Sequence, residues 1–199
     1  MKSSLIILGC LTAGILVGVL ALPPTTFLDL DPTIYALNVL LFLVGTEIGA
    51  NTRVWQMARN QNVRILLVPL SAILGTFLGV ALFSVFVPGV GFRESLAVGS
   101  GFGYYTLASV LIAQIGGKTL GVVALLSNIL RELATLLTAP LLARYFGRLA
   151  PIVSGGATSM DTTLPIITKS VGTEYAVISV VNGVVLTLLA PVLITAILR

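Results

Sequence analysis

The chain has 199 residues, of which 11 are lysine or arginine, 7 are aspartate or glutamate and none is histidine. It is 57% hydrophobic and 9% charged, against roughly 25% charged in an average soluble domain, which excludes a water-covered globule. Charge-free runs from Ile65 to Gly91 and from Tyr175 to Leu198 exceed the ~20 apolar residues that cross a bilayer, so the sequence describes an integral membrane protein.

In chain order, the first apolar run, 3–22, follows a single lysine and is read as a retained span, because Pro23-Pro24 and an acidic loop follow it rather than a cleavage site. Spans are further predicted over 33–50, 63–87, 119–146 and 173–198. Two other apolar stretches resist a continuous helix. Residues 95–115 contain "GSGFGYYTL", and 150–170 contain "GGATSMDTTLPIITKS", where glycines remove helical preference and Pro165 fits only a first helical turn. A half-helix is expected to start near Thr163, with Asp161 in unwound backbone ahead of it. The lone Cys10 permits no internal disulfide, and without histidine the chain does not suit imidazole or paired-sulfur metal sites. No Walker A sequence and no basic patch occur, so neither ATP hydrolysis nor nucleic-acid binding is expected. The expected fold is an all-α polytopic membrane protein, about five spanning helices plus two broken or re-entrant helical hairpins, forming one domain over 1–199.

The broken stretches resemble each other. "YYTLASVL" at 104–111 aligns with "DTTLPIIT" at 161–168, and each is followed by a helix with an asparagine and a Thr-Leu-Leu run ending in Ala-Pro. The two units fall within 33–115 and 119–198, and paired broken segments of this kind point to a transporter's binding site. Treating both as re-entrant hairpins places Lys2, Arg53, Arg59, Arg64, Arg144, Arg148 and Lys169 on the cytoplasmic side, against Arg93, Lys118 and Arg199 outside. That bias matches the positive-inside rule and makes the copies an inverted repeat.

The intramembrane polar residues carry the candidate chemistry. Asn128, Arg131, Glu132 and Thr135 share one helical face, and the adjacent Arg131 and Glu132 each need a partner elsewhere. A charge at bilayer centre costs roughly 2.5–3.5 kcal/mol, so such groups either tie helices together or serve a ligand. Arg131 can hold a substrate carboxylate or neutralise an acid. Asp161 can cap the following half-helix, or face a cavity and receive an ammonium group, a sodium ion or a proton. Thr162, Thr163 and Asn182 lie in or beside the second broken unit. Tyr104 and Tyr105 offer hydroxyls at membrane depth, and Glu47 either snorkels to water or lines an exit path.

"LLFLVG" at 40–45, "SGFGYYTL" at 100–107, "SNILREL" at 127–133 and "GATSMDTTLP" at 156–165 resemble the lysine exporter family of the LysO type over nearly the whole chain. The resemblance implies export of L-lysine and its toxic analogues across the bacterial or archaeal cytoplasmic membrane, by a secondary transporter and not an enzyme. It carries over Asp161 as the acid, with Asn128, Arg131 and Glu132 as the polar helix. Two departures stand out: single-chain members extend further at the amino end, and Glu47 stands where an amide is expected. The residues agree with a cationic amino acid, since Asp161, Glu132 or Glu47 can accept its ammonium groups and Arg131 or a half-helix start its carboxylate. No cofactor is expected beyond a coupling ion, H+ or Na+. Five spans and two hairpins make a thin shell around a charged centre, which points to a homodimer or a small membrane partner subunit. A cation/proton antiporter, or a membrane subunit without its own transport site, stays open as an alternative.

Overall fold

The computed structural model describes residues 63–86 and 89–199, with isolated helical positions between 12 and 50. The chain divides into two compact units, Met1–Leu40 and Leu41–Arg199, and the architecture below belongs to the second. The predicted spans 3–22 and 33–50 are described only at isolated positions, and Glu47 lies outside the described residues.

The described residues from 63 onward are almost wholly helical and contain no strand. After a 3-10 turn at Val63–Leu66 come α1 (Leu67–Phe83), α2 (Phe92–Gly99), α3 (Tyr105–Gly116), α4 (Lys118–Phe146), α5 (Ala150–Gly155), α6 (Leu164–Val171) and α7 (Ala176–Leu198). Three stretches are long and apolar enough to cross a bilayer: Leu67–Phe86, Lys118–Phe146 and Thr173–Leu198. Their outward positions are aliphatic, including Leu74 and Leu78 on α1 and Leu126, Leu130 and Leu137 on α4. Polar side chains are instead turned inward, among them Ser100, Asn128, Glu132, Thr135, Thr163 and Asn182. That inverted distribution suits a solvent of lipid tails, in which exposed polar groups cost most.

The two glycine-rich stretches fold as helical hairpins rather than continuous helices. In the first, α2 and α3 both lie along the opening half of α4: Val98, Ile112, Leu120 and Ala124 share one buried cluster, with Val90 packed against it. In the second, α5 and α6 lie between the closing half of α4 and the start of α7, where Ile152, Ile167 and Val171 pack with Ala143 and Tyr175. Its two ends are drawn together by Arg148 and Glu174, 3.9 Å apart, and by Arg148 over the Tyr175 ring. At the other end of the molecule Arg93 donates from Nε and Nη2 to the carbonyl of Ile197, closing the first hairpin onto the end of α7. The hairpins therefore enter from opposite ends of α4, a helix of 29 residues and about 43 Å at 1.5 Å per residue.

Proline placement follows from its missing N–H. Pro151 and Pro165 occupy the first turns of α5 and α6, where no intrahelical donor is needed. Pro140 and Pro191 lie inside the long helices α4 and α7.

Candidate functional site

The tips of the hairpins meet. The Ala157 N–H donates to the Phe102 carbonyl at 2.8 Å, joining one unwound segment to the other. Backbones can approach this closely because glycines flank both contact residues, Gly101 and Gly103 beside Phe102 and Gly156 beside Ala157. Gly156 has φ +61°, and a Cβ there would collide with the Phe102 carbonyl. Gly103 has φ +95° and lies against the Gly155 carbonyl. Both torsions belong to the left-handed region that glycine adopts without penalty.

Side chains from the long helices satisfy the freed backbone around this crossing. Asn128 of α4 accepts from the Gly103 N–H at 2.7 Å and donates to the Val98 and Ala124 carbonyls. Asn182 of α7 donates to the Ile152 and Gly156 carbonyls and lies 3.0 Å from the Ser159 hydroxyl. Each asparagine thus reaches a carbonyl near the end of a short helix, 30 positions earlier in the chain in both cases. Arg131 donates from Nε to Ser154 O, from Nη2 to Val153 O and from Nη1 to the Thr76 hydroxyl, and its guanidinium sits 6.0 Å above the Phe102 ring. Its positive charge meets the carboxyl end of α5, where the helix dipole is negative and the last carbonyls lack partners. Thr135 completes the attachment through the Ser154 hydroxyl at 2.7 Å.

Glu132 stands among these residues on the same inward face, one turn from Asn128. It is 9% exposed, and among the described residues it has neither a hydrogen-bond partner nor an ion pair. Arg131 therefore meets the expectation of a partner elsewhere, and Glu132 does not. An intramembrane acid without a partner is costly to keep, which makes Glu132 a natural position at the crossing for a cationic partner.

Asp161 follows the 3-10 segment Gly156–Met160 and precedes α6, and it is exposed. Its Oδ1 accepts from the Thr162 N–H at 2.6 Å, and its N–H donates to the Thr158 carbonyl. Thr162 is exposed beside it. Thr163 is buried and donates to the Thr158 carbonyl at 2.9 Å, bracing the turn into α6. Tyr104 packs against the cluster that contains Phe102, Ala157 and Leu186, and Tyr105 opens α3, half-buried. The crossing thus collects Asn128, Arg131, Glu132, Asn182, Thr163 and Tyr104, with Asp161 and Thr162 in the turn that leads out of it. Phe102, Thr158, Ser154 and Thr76 also take part and were not singled out by the sequence. Thr76 lies 55 positions before Arg131, on another helix, so nothing in the sequence pairs them.

Helices long and apolar enough to cross a bilayer, enclosing two half-helical hairpins, mark an all-α membrane protein, and the comparisons place it in a transporter family. The chain belongs to the family described as "Lysine exporter LysO", whose profile matches residues 8–198. That family consists of transporters, not enzymes. The "Lysine exporter LysO" of Escherichia coli (strain K12) is 33% identical over 161 residues, covering 80% of this chain and 52% of that protein. The chain thus spans about half the length of that relative. A "Putative lysine exporter" of Haemophilus influenzae is 32% identical over 164 residues, 81% of each chain. No solved structure matches.

Proposed function

We propose that this chain is a secondary transporter that exports L-lysine across the cytoplasmic membrane, driven by a cation or proton gradient. The hairpins α2–α3 and α5–α6 re-enter the bilayer from opposite faces as an inverted repeat, and their tips form the substrate site near the midplane. The observation that carries this reading is Glu132, a largely buried residue on the face of α4 that holds both tips, whose carboxylate has no partner among the described residues. Lysine supplies the missing positive charge. Asp161, exposed in the turn out of the crossing, offers a second carboxylate for the other ammonium group. Irregular backbone at membrane depth is tolerated where it lines such a site, which accounts for helices broken at that level. The relatives named as lysine exporters support the substrate.

The test is lysine efflux from proteoliposomes loaded with labelled L-lysine, with proton and sodium gradients imposed separately. Gradient-dependent lysine efflux is expected. Cation-dependent proton flux with no lysine movement would assign the chain to cation/proton antiport instead.

A further inference from the structure

We propose that a groove along α1, running from Arg131 past Gly79 to Ser84, receives the carboxylate end of the exported amino acid. The proposal rests on the lysine-export reading and adds to it a place for the carboxylate and a direction of passage. Two grooves adjoin α1. One, of about 440 Å³, is lined by Gly75, Thr76, Gly79, Arg131 and Ser154 among others. The other, of about 260 Å³, is lined by Ser84, Ser95, Val98 and Ser127 among others, and shares Gly79 and Val80 with the first. The two grooves thus adjoin at Gly79 and Val80, one beside the hairpin crossing and the other toward the end of α1.

Three features suit the pair to a carboxylate-bearing solute. Arg131 is the one charged group in either lining, and no acid among the described residues pairs with it. A guanidinium has five N–H donors, and Arg131 uses three on Ser154, Val153 and Thr76, leaving two for a ligand. Among the described residues, a Cβ built at Gly75 or Gly79 meets nothing within 4 Å. Beyond Gly79 and Val80 the lining is mainly apolar, with Ser84, Ser95 and Ser127 as its polar positions.

The test uses Gly79→Cys in a Cys10→Ser background, labelled by a charged thiol reagent in proteoliposomes. L-lysine should slow the labelling, and 1,5-diaminopentane, which is lysine without its carboxylate, should not. Equal protection by both compounds, or by neither, overturns the proposal. As a second arm, Gly79→Leu should leave the melting temperature unchanged, because the added side chain enters open space, while lysine efflux falls by about tenfold or more. Full efflux from Gly79→Leu, with the wild type active, removes the groove from the route and leaves the lysine-export reading standing. A wild type that exports no lysine defeats the functional reading, and the labelling arm then decides the carboxylate site by itself.

Discussion

The backbone N–H of Ala157 and the carbonyl of Phe102, 2.8 Å apart, join two hairpins that come from opposite ends of the same 29-residue helix. Neither segment could be a continuous helix at this point, because each gives up a backbone group to the other. The contact depends on Gly156. Alanine there would be held at φ +61° with its methyl group driven into Phe102 O. The torsion alone costs about 1–3 kcal/mol in a non-glycine residue. Gly156→Ala should lower the melting temperature in detergent and yield a heterogeneous chromatographic profile. A variant as stable as the wild type would mean that the tips do not meet as described.

The two asparagines hold the tips unequally. Asn128 satisfies both ends of its amide, accepting from Gly103 N–H and donating to Val98 and Ala124. Asn182 uses only Nδ2, and among the described residues its buried Oδ1 has no partner. Truncating Asn128 strands the Gly103 N–H, and an unsatisfied buried group costs about 1–3 kcal/mol. Truncating Asn182 also removes an unpaired oxygen, which offsets part of its loss. Asn128→Ala should therefore destabilise more than Asn182→Ala in thermal melts, and the reverse order would contradict the assignment of the stronger hold.

Arg131 is fixed by geometry as well as charge. Lysine at 131 keeps the charge but cannot place donors on Ser154 O, Val153 O and Thr76 Oγ1 at once, since its ammonium is a single point. Hydrogen bonds from a charged group are worth about 1.5–3 kcal/mol each, so Arg131→Lys should lose at least one such increment of stability. Thr76→Val should cost less, because it removes one partner of three. A double-mutant cycle between positions 76 and 131 should show coupling, and strict additivity would break the link.

Much of this arrangement was legible in the sequence. Glycine clusters and the position of Pro165 marked both breaks, and the spans read as 63–87, 119–146 and 173–198 correspond to the helical stretches Leu67–Phe86, Lys118–Phe146 and Thr173–Leu198. The helical spacing placed Asn128, Glu132 and Thr135 inward together, because a 3.6-residue period fixes which positions share a face. What spacing cannot give is the partner across a long loop. Nothing in the letters tells that Asn128 reaches back to Val98, or that Arg131 ends on the carbonyls of Val153 and Ser154 and the hydroxyl of Thr76. Carbonyls carry no residue-specific signal, so a guanidinium bound to them looks the same in sequence as one without them.

Asp161 separates charge from shape. Asparagine at 161 keeps an acceptor for the Thr162 N–H, and the side chain is exposed, so folding should be unchanged. Lysine efflux should fall, and a lost ionic contact of ~2–4 kcal/mol corresponds to about 30- to 1,000-fold at 1.4 kcal/mol per decade. Efflux at the wild-type rate from Asp161→Asn, at equal protein in the liposomes, would reduce Asp161 to a cap on α6.

The account turns on Glu132 as the intramembrane carboxylate that a cationic substrate neutralises. The direct measurement is equilibrium binding of labelled L-lysine to the purified chain and to Glu132→Gln, with melting temperatures recorded alongside. Glutamine keeps the size of the side chain and removes the unpaired charge, so the variant should be at least as stable as the wild type. Its affinity for lysine should be lower by about 30-fold or more, the equivalent of ~2 kcal/mol. A Glu132→Gln protein that binds lysine as tightly as the wild type would contradict the claim that the hairpin crossing is the lysine site.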